Sequence, residues 1–401
     1  MTDAPEFPAL TFEALTFEEF HQITLPKLID AGNGALAADD LRGVGPVAFK
    51  VPDGTAYSYV PGPDTVELWS TDVAADTVIE LSREAFSDFA NELRTSFGLL
   101  YADLAEVTRG DFASFERWEP ALRALYHARP IIDLATSGIR DDLDREFTID
   151  DSDDELRAFL AETGFLHVRG VFAADEIAAL DAEVERLRGE ARPDDGKSWW
   201  ATRADGTDVC CRLIYTSLRS EVIAGLGDDS RLARLAALHG APLEAAPECL
   251  DGFSVVLKQP EITAGLSDLP WHRDCGLGGH PVICPGFNIG VQLDAATAET
   301  GQLRFLAGSH RGSSHPLRKS EEADQPVVAI RTEPGDVTVH YGHALHEAPP
   351  PTGDGGRRTL YVGFVRPETR AFVGEGHGYN DVLFERDGQV HNVGELSGSA
   401  S

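Results

Sequence analysis

His272 and Asp274 flank Arg273 at the end of an apolar run, and this trio constrains the fold more than any other feature of the chain. The two outer side chains reach one ion together when the stretch is extended, because a strand sends alternate residues to the same face. A second imidazole, His346, follows in a later strand-like run beyond the turn Gly335-Asp336. Two imidazoles and one carboxylate occupy one face of an octahedral metal and leave three positions open. That set suits Fe(II) together with a chelating oxoacid and dioxygen. Arg357, eleven positions after His346, adds a permanent cation able to hold the far carboxylate of such an oxoacid.

Composition narrows the partners. Acidic side chains number 67 against 34 basic ones, a net charge of −33. Such a field repels nucleic acid and anionic membrane, which are recognised by basic patches, and it reads first as a solubility device. A small-molecule substrate, even an anionic one received by local arginines, remains compatible with it. The 401 residues allow two or three domains. The segment MTDAPEFPALTFEALTFEEF lacks the basic-then-apolar order of a secretory signal, and no apolar run is long enough to insert across a bilayer. Five cysteines (Cys210, Cys211, Cys249, Cys275 and Cys284) are odd in number and form no CxxC pair. Neither a disulfide framework nor a zinc site is expected, and a reducing cytoplasm is the expected location.

The pattern divides the chain. Residues 16–42 read as helical; strands are expected at 46–51, 56–60, 66–70 and 77–81, punctuated by Asp53-Gly54 and Pro61-Gly62-Pro63. A helix capped by Ser82 fits 82–95, with Phe86, Phe89 and Leu93 at helical spacing. A strand at 104–109 and a helix at 114–126 complete an α+β domain over residues 1–130. A linker at 131–150 leads to a second domain, 151–380, and a tail, 381–401. In the second domain helices are expected at 153–163 and 174–189 around a strand at 164–172. A polar loop then carries Trp199 and Trp200, and strands recur at 209–216, 252–258, 286–293, 302–306, 327–332, 336–341 and 358–365. Many strands with one helical layer predict a mainly-β double-stranded β-helix, a cupin-like jelly roll with helices on one face.

Several residues compete for roles. The distal segment offers His340, His343 and His346; His340 reads as a strand side chain and His343 as a turn residue, and each is a possible ligand. His310, in Gly308-Ser309-His310, belongs to a turn, and His280 is either a loop residue facing water or a neighbour of the substrate. Arg357 and Arg358 are strand neighbours, so only one faces inward. Arg357 shares its face with Thr359, a guanidinium fork beside a hydroxyl donor, which leaves Arg358 as a surface charge. Trp199, Trp200 and Trp271 are either substrate-mouth or core residues.

Residues 151–367 resemble the phytanoyl-CoA dioxygenase family of Fe(II)/2-oxoglutarate oxygenases. The likeness runs through ELRAFLAETGFLHVRGVFAADEIAALDAEVERL, LPWHRDCG, TGQLRFLAGSHRG and PGDVTVHYGHALHEAPPPTGDGGRRTLYVGF. It implies iron ligands at His272, Asp274 and His346, the last fixed by its distance from Gly335, and 2-oxoglutarate on Arg357. Lys258 falls at a family position near the cosubstrate, the alternative being a solvated lysine, and Asn288 is a candidate lining residue. Ala348 stands where the family often carries a hydroxyl residue, a contact for which Thr359 is the substitute. Halogenating relatives lack the carboxylate, so Asp274 argues against halogenation and makes hydroxylation the default, with desaturation or ring closure open to the same residues. Residues 1–130 resemble the sterol-carrier-protein-2-like fold, through AADTVIELSREAFSDF and LLYADLAEVTRGD. Members of that family often bind lipids in an apolar tunnel; the alternative is a unit that only packs, caps or dimerises.

The implied activity is C–H oxidation of a small, apolar or carrier-linked acyl, lipid-like or secondary-metabolite substrate, using Fe(II), 2-oxoglutarate and O2. Two other classes stand beside it. One is a non-catalytic lipid-binding or transfer protein with a degenerate oxygenase domain. The other is a cupin-like metal isomerase or dioxygenase without cosubstrate. Neither needs 2-oxoglutarate, and neither accounts for Arg357.

Overall fold

Residues 17–38 are helical, interrupted at Gly32, whose φ of 115° is the left-handed region that favours glycine. The computed structural model describes residues 12–135, 138–247, 251–265, 269–277, 281–372, Asn380 and Leu383; Cys249, His280 and the rest of the tail 381–401 lie outside them. A five-stranded sheet follows, in the order β3-β2-β1-β4-β5. Its strands are β1 (Val47–Lys50), β2 (Ala56–Pro61), β3 (Val66–Trp69), β4 (Thr77–Leu81) and β5 (Ala105–Arg109).

The helix Arg83–Ala90 starts where the Ser82 hydroxyl accepts from Ala85 N, as its cap position predicts. It stops short of the expected 95 because the chain turns at Asn91 and Glu92, the latter at a φ of 57°. A second helix, Ser96–Tyr101, not expected from the pattern, begins at the Thr95 cap. The helix Phe112–His127, capped by Asp111, closes the unit. Its interior is filled by aromatic rings: Phe86 meets Phe17 at 4.9 Å and Phe49 at 5.4 Å, and Phe49 meets Phe115 at 5.9 Å.

Two further sheets share a second core. The larger has ten strands in the order β12-β8-β9-β11-β19-β14-β17-β7-β6, with β10 also on β19. They are β6 (Phe147–Thr148), β7 (Phe165–Arg169), β8 (Ser198–Arg203), β9 (Asp208–Leu213), β10 (Glu244–Ala245), β11 (Ser254–Lys258), β12 (Ile262–Gly265), β14 (Phe287–Gln292), β17 (Val337–Tyr341) and β19 (Arg357–Val365). The smaller sheet, ordered β13-β18-β15-β16, comprises β13 (Leu269–His272), β15 (Arg304–Leu306), β16 (Val327–Ala329) and β18 (His346–Ala348). Phe305 of the smaller sheet stacks on Phe165 of the larger at 4.8 Å, so the two bury their apolar sides together. Helices Asp153–Thr163, Ala174–Glu190 and Ser230–Ala237 add Leu156, Phe159, Leu180, Val184, Leu232 and Leu235 to that core.

Two expectations need correction here. Trp199 and Trp200 lie not in a loop but in β8, paired antiparallel with β9; the polar flanks of the run disguised a strand of the sheet. The segment expected as a plain linker enters the larger sheet as β6, parallel to β7, because Phe147 is a core residue.

Candidate metal centre

His272 closes β13 and His346 opens β18, and these two residues are partners in that antiparallel pair. Their rings lie 4.3 Å apart between centroids. Asp274 is not on the strand, as the alternation argument had it, but in the bend just after it. There its N–H and that of Cys275 both donate to Gly342 O, at 2.8 and 3.1 Å. The result is still convergence. One ligand atom from each of His272, Asp274 and His346 lies within 4.8 Å of the others.

The tautomers follow from the hydrogen bonds. His272 Nδ1–H donates to Pro270 O at 2.6 Å, and His346 Nδ1–H donates to Ala344 O at 2.9 Å. Each Nε2 is then left as a lone pair. His272 Nε2 lies 3.6 Å from Asp274 Oδ1 and His346 Nε2 3.8 Å from Asp274 Oδ2. Two lone pairs facing a carboxylate repel unless a cation stands among them, so the donor set fits a metal ion. Burial, and then His272, push His346 down to about 3, keeping it neutral as a ligand must be.

Around this cluster the structure places the other candidates in distinct positions. Asn288 Nδ2 donates to Asp274 Oδ2 at 2.6 Å, so it steadies the carboxylate. Arg357 is buried on β19: its Nε donates to Gly301 O at 2.7 Å and Nη1 to Thr359 Oγ1 at 2.6 Å. Its Nη2 has no hydrogen-bond partner among the described residues. The Thr359 hydroxyl was expected to donate outward to a cosubstrate; instead its proton goes to Gln292 Oε1 at 2.9 Å, and it serves to orient Arg357. Lys258 is buried too, not solvated, and its Nζ donates to the Ala348 carbonyl just beyond His346. Arg358 points away, bound by Asp294 at 2.8 Å and by Asp181 and Glu185.

The remaining histidines separate cleanly. His343 sits in the turn, with Nε2 2.7 Å from His310 O and Nδ1 3.1 Å from Cys284 O. His310 stacks on Tyr341 at 4.7 Å and reaches Ala161 O at 3.0 Å. Both are internal braces. The three tryptophans engage protein partners through their indole N–H groups: Trp199 with Asn380 at 2.9 Å, Trp200 with Ser198 at 2.9 Å and Trp271 with Glu322 at 3.0 Å.

One residue of the site, Tyr361, escaped the sequence reading, and another, His340, was read only as a strand side chain or an alternative ligand. His340 on β17 is 1 % exposed, neither ring nitrogen has a hydrogen-bond partner among the described residues, and its Nε2 lies 3.4 Å from Asp274 Oδ2. Tyr361 follows Arg357 and Thr359 on the same face of β19 and interacts with the Arg357 guanidinium. The period of two along β19 could have found Tyr361; only the β14–β17 pairing brings His340 opposite Asn288.

Two imidazoles from one strand pair and a carboxylate from the bend beside it converge at one place, the donor set of the class of proteins that hold a single metal ion. A profile of the phytanoyl-CoA dioxygenase family matches residues 160–359, and this part of the chain belongs to that family. Among solved structures the chain is similar to EvdMO1, at 27% identity and a TM-score of 0.44, covering 54% of this chain and 50% of that one. The chain thus spans about half the length of EvdMO1. It is also similar to AviO1 from Streptomyces viridochromogenes Tue57, at 24% identity and a TM-score of 0.42, covering 54% of this chain and 96% of that one. A third similar structure is SnoN, a non-heme alpha ketoglutarate dependent epimerase from nogalamycin biosynthesis, at 25% identity, 55% and 86% coverage and a TM-score of 0.44. No helix among the described residues is long and apolar enough to cross a membrane.

Proposed function

We propose that this chain is a non-haem Fe(II)/2-oxoglutarate-dependent dioxygenase, with His272, Asp274 and His346 as the iron ligands and the two sheets as a double-stranded β-helix. One observation carries the reading: two imidazoles anchored through Nδ1 turn their Nε2 lone pairs toward a single carboxylate. Membership of residues 160–359 in the phytanoyl-CoA dioxygenase family agrees with it. When bound, iron with 2-oxoglutarate and O2 supplies oxidative decarboxylation to succinate and carbon dioxide, coupled to oxidation of a substrate C–H bond.

The protein's share is placement. Backbone carbonyls of Pro270 and Ala344 fix the ring tautomers, and Asn288 fixes the Asp274 carboxylate. Arg357, aimed by Gly301 and Thr359, keeps Nη2 for the far carboxylate of 2-oxoglutarate. Lys258, its partner across β11 and β19, adds a second positive charge on the same face. The substrate is a small organic molecule, and for a centre that keeps Asp274 the outcome is hydroxylation or another C–H oxidation and not halogenation.

The test is anaerobic. Fe(II) and then 2-oxoglutarate are added to metal-free protein, and the weak visible charge-transfer band of the chelate is followed. The band is expected in wild type, absent in His346→Ala, and shifted to far higher 2-oxoglutarate in Arg357→Ala. Folded wild type without a band would falsify the assignment.

A further inference from the structure

The bend that carries Asp274 is held from two sides. Gly342 O, in the turn leading to His346, receives the N–H groups of Asp274 and Cys275. The opposite side belongs to the first unit. Thr95 N donates to Gly276 O at 3.1 Å, and Val282 N donates to Glu92 O at 2.5 Å. A Cβ on Gly98 would lie 2.5 Å from Gly276 O and 3.5 Å from Leu277 Cα. Gly276, at a φ of 82°, returns the constraint, since a Cβ there would meet Thr95 Cγ2 at 2.7 Å. Two glycines therefore let helix 96–101 touch the backbone of the ligand-bearing bend directly.

The seam extends beyond this point. Tyr101 and Phe97 pack with Trp199, Ala201 and Cys211 of the larger sheet. The Arg273 guanidinium donates to His343 O at 3.0 Å and to Ser314 Oγ at 2.5 Å, within the electrostatic reach of Arg123 and Glu119 on helix 112–127. Glu92, whose carbonyl receives Val282, keeps its left-handed φ of 57° under the grip of Arg129 at 2.8 Å. Such a conformation persists in a non-glycine residue where surrounding contacts over-determine it.

We propose that helix 96–101, through Thr95 and Gly98, is a positioning element of the metal centre: the first unit sets the place of Asp274 and thereby the metal affinity. The inference rests on reading His272, Asp274 and His346 as a metal site and is independent of 2-oxoglutarate. Coupling of this kind is reciprocal, so metal binding also tightens the seam.

Co(II) alone, followed by its visible ligand-field bands, tests it in the full chain. Gly98→Val is expected to weaken Co(II) binding at least about tenfold with an unchanged circular dichroism spectrum, the scale of lost support around a metal site. Gly98→Ala should fall between it and wild type. Gly34→Ala, which crowds Thr65 elsewhere in the first unit, should bind Co(II) as wild type does. In wild type, Co(II) should slow hydrogen exchange at 92–101 as well as at 269–277, a readout that needs no variant to fold. Wild-type affinity in folded Gly98→Val, equal loss in Gly34→Ala, or protection confined to 269–277 overturns the proposal. A wild type that takes up no Co(II) sinks this inference and the proposed function together. One that binds Co(II) and, loaded with Fe(II), gives no chelate with 2-oxoglutarate refutes the proposed function alone.

Discussion

Lys258 and Arg357 are direct partners across β11 and β19, project from the same face, and are each 2 % exposed. Like charges opposed in this way destabilise a sheet, and a carboxylate bound between them reverses the sign of the interaction. Replacing Arg357 by Gln removes charge-assisted bonds to that carboxylate, worth about 2–4 kcal/mol in a buried setting. The 2-oxoglutarate concentration needed for half the visible band should rise about 30- to 1000-fold. Lys258→Met should raise it about tenfold, the smaller effect of a point charge already donating to Ala348 O. Unchanged cosubstrate affinity in Lys258→Met would remove that lysine from the site.

His340 predicts a separable effect. Its ring stands 3.4 Å from Asp274 Oδ2 with no other partner among the described residues, so its natural role is to steady the ligand carboxylate beside Asn288. His340→Phe keeps the packing against Phe305 but removes the N–H. Metal affinity should fall about 10- to 100-fold, and His340→Gln should recover part of it through an amide donor. Equal Co(II) binding in wild type and the Phe variant would argue that the ring only fills space.

Metal should stabilise the fold by mass action. At a free concentration of about 100 times Kd the gain is about 2.7 kcal/mol, some 5–10 °C in Tm for a domain of this size. A chelator should reverse it, and His346→Ala should show no shift. A shift that survives in His346→Ala would place the metal elsewhere.

Glu116 supplies a pH prediction away from the site. Burial, and then Glu119, push its carboxyl up to about 7. The folded state therefore binds a proton that the unfolded chain, with an ordinary carboxylate, releases. The stability due to this proton is full below the unfolded pKa of about 4.5 and is lost as pH rises through about 7. Glu116→Gln should nearly match wild type at pH 4.5 and exceed it by about 5–10 °C in Tm at pH 8. A difference that is the same at both pH values would contradict the shifted carboxyl.

Legibility in the sequence followed the range of the interactions. Helix 153–163 is fully readable: Ser152 caps it, Leu156, Phe159 and Leu160 share its buried face, and Gly164 ends it at a φ of 91°. Helix 96–101 is hidden, because its six residues carry Gly98 in the middle and that glycine answers to a contact with Gly276. The convergence of His272, Asp274 and His346 can be inferred from spacing, though the carboxylate arrives from a bend and not by strand alternation. His340 illustrates the limit. Its place in a strand is local information, but its approach to Asp274 depends on how β14 and β17 pair.

Between the two bodies of the chain the connecting segment is itself stitched down. Ser313 N donates to Pro130 O at 3.1 Å, and Ile132 N donates to Ser313 O at 2.8 Å. Asp40, Arg117 and His315 add a polar knot, with His315 Nε2 2.6 Å from Asp40 Oδ1. A protease cut in this stretch would nick the covalent thread and leave the halves clasped. In engineering terms residues 12–130 are therefore a keystone and not a bead on a string: grafting them onto another domain carries over the stone and loses the arch.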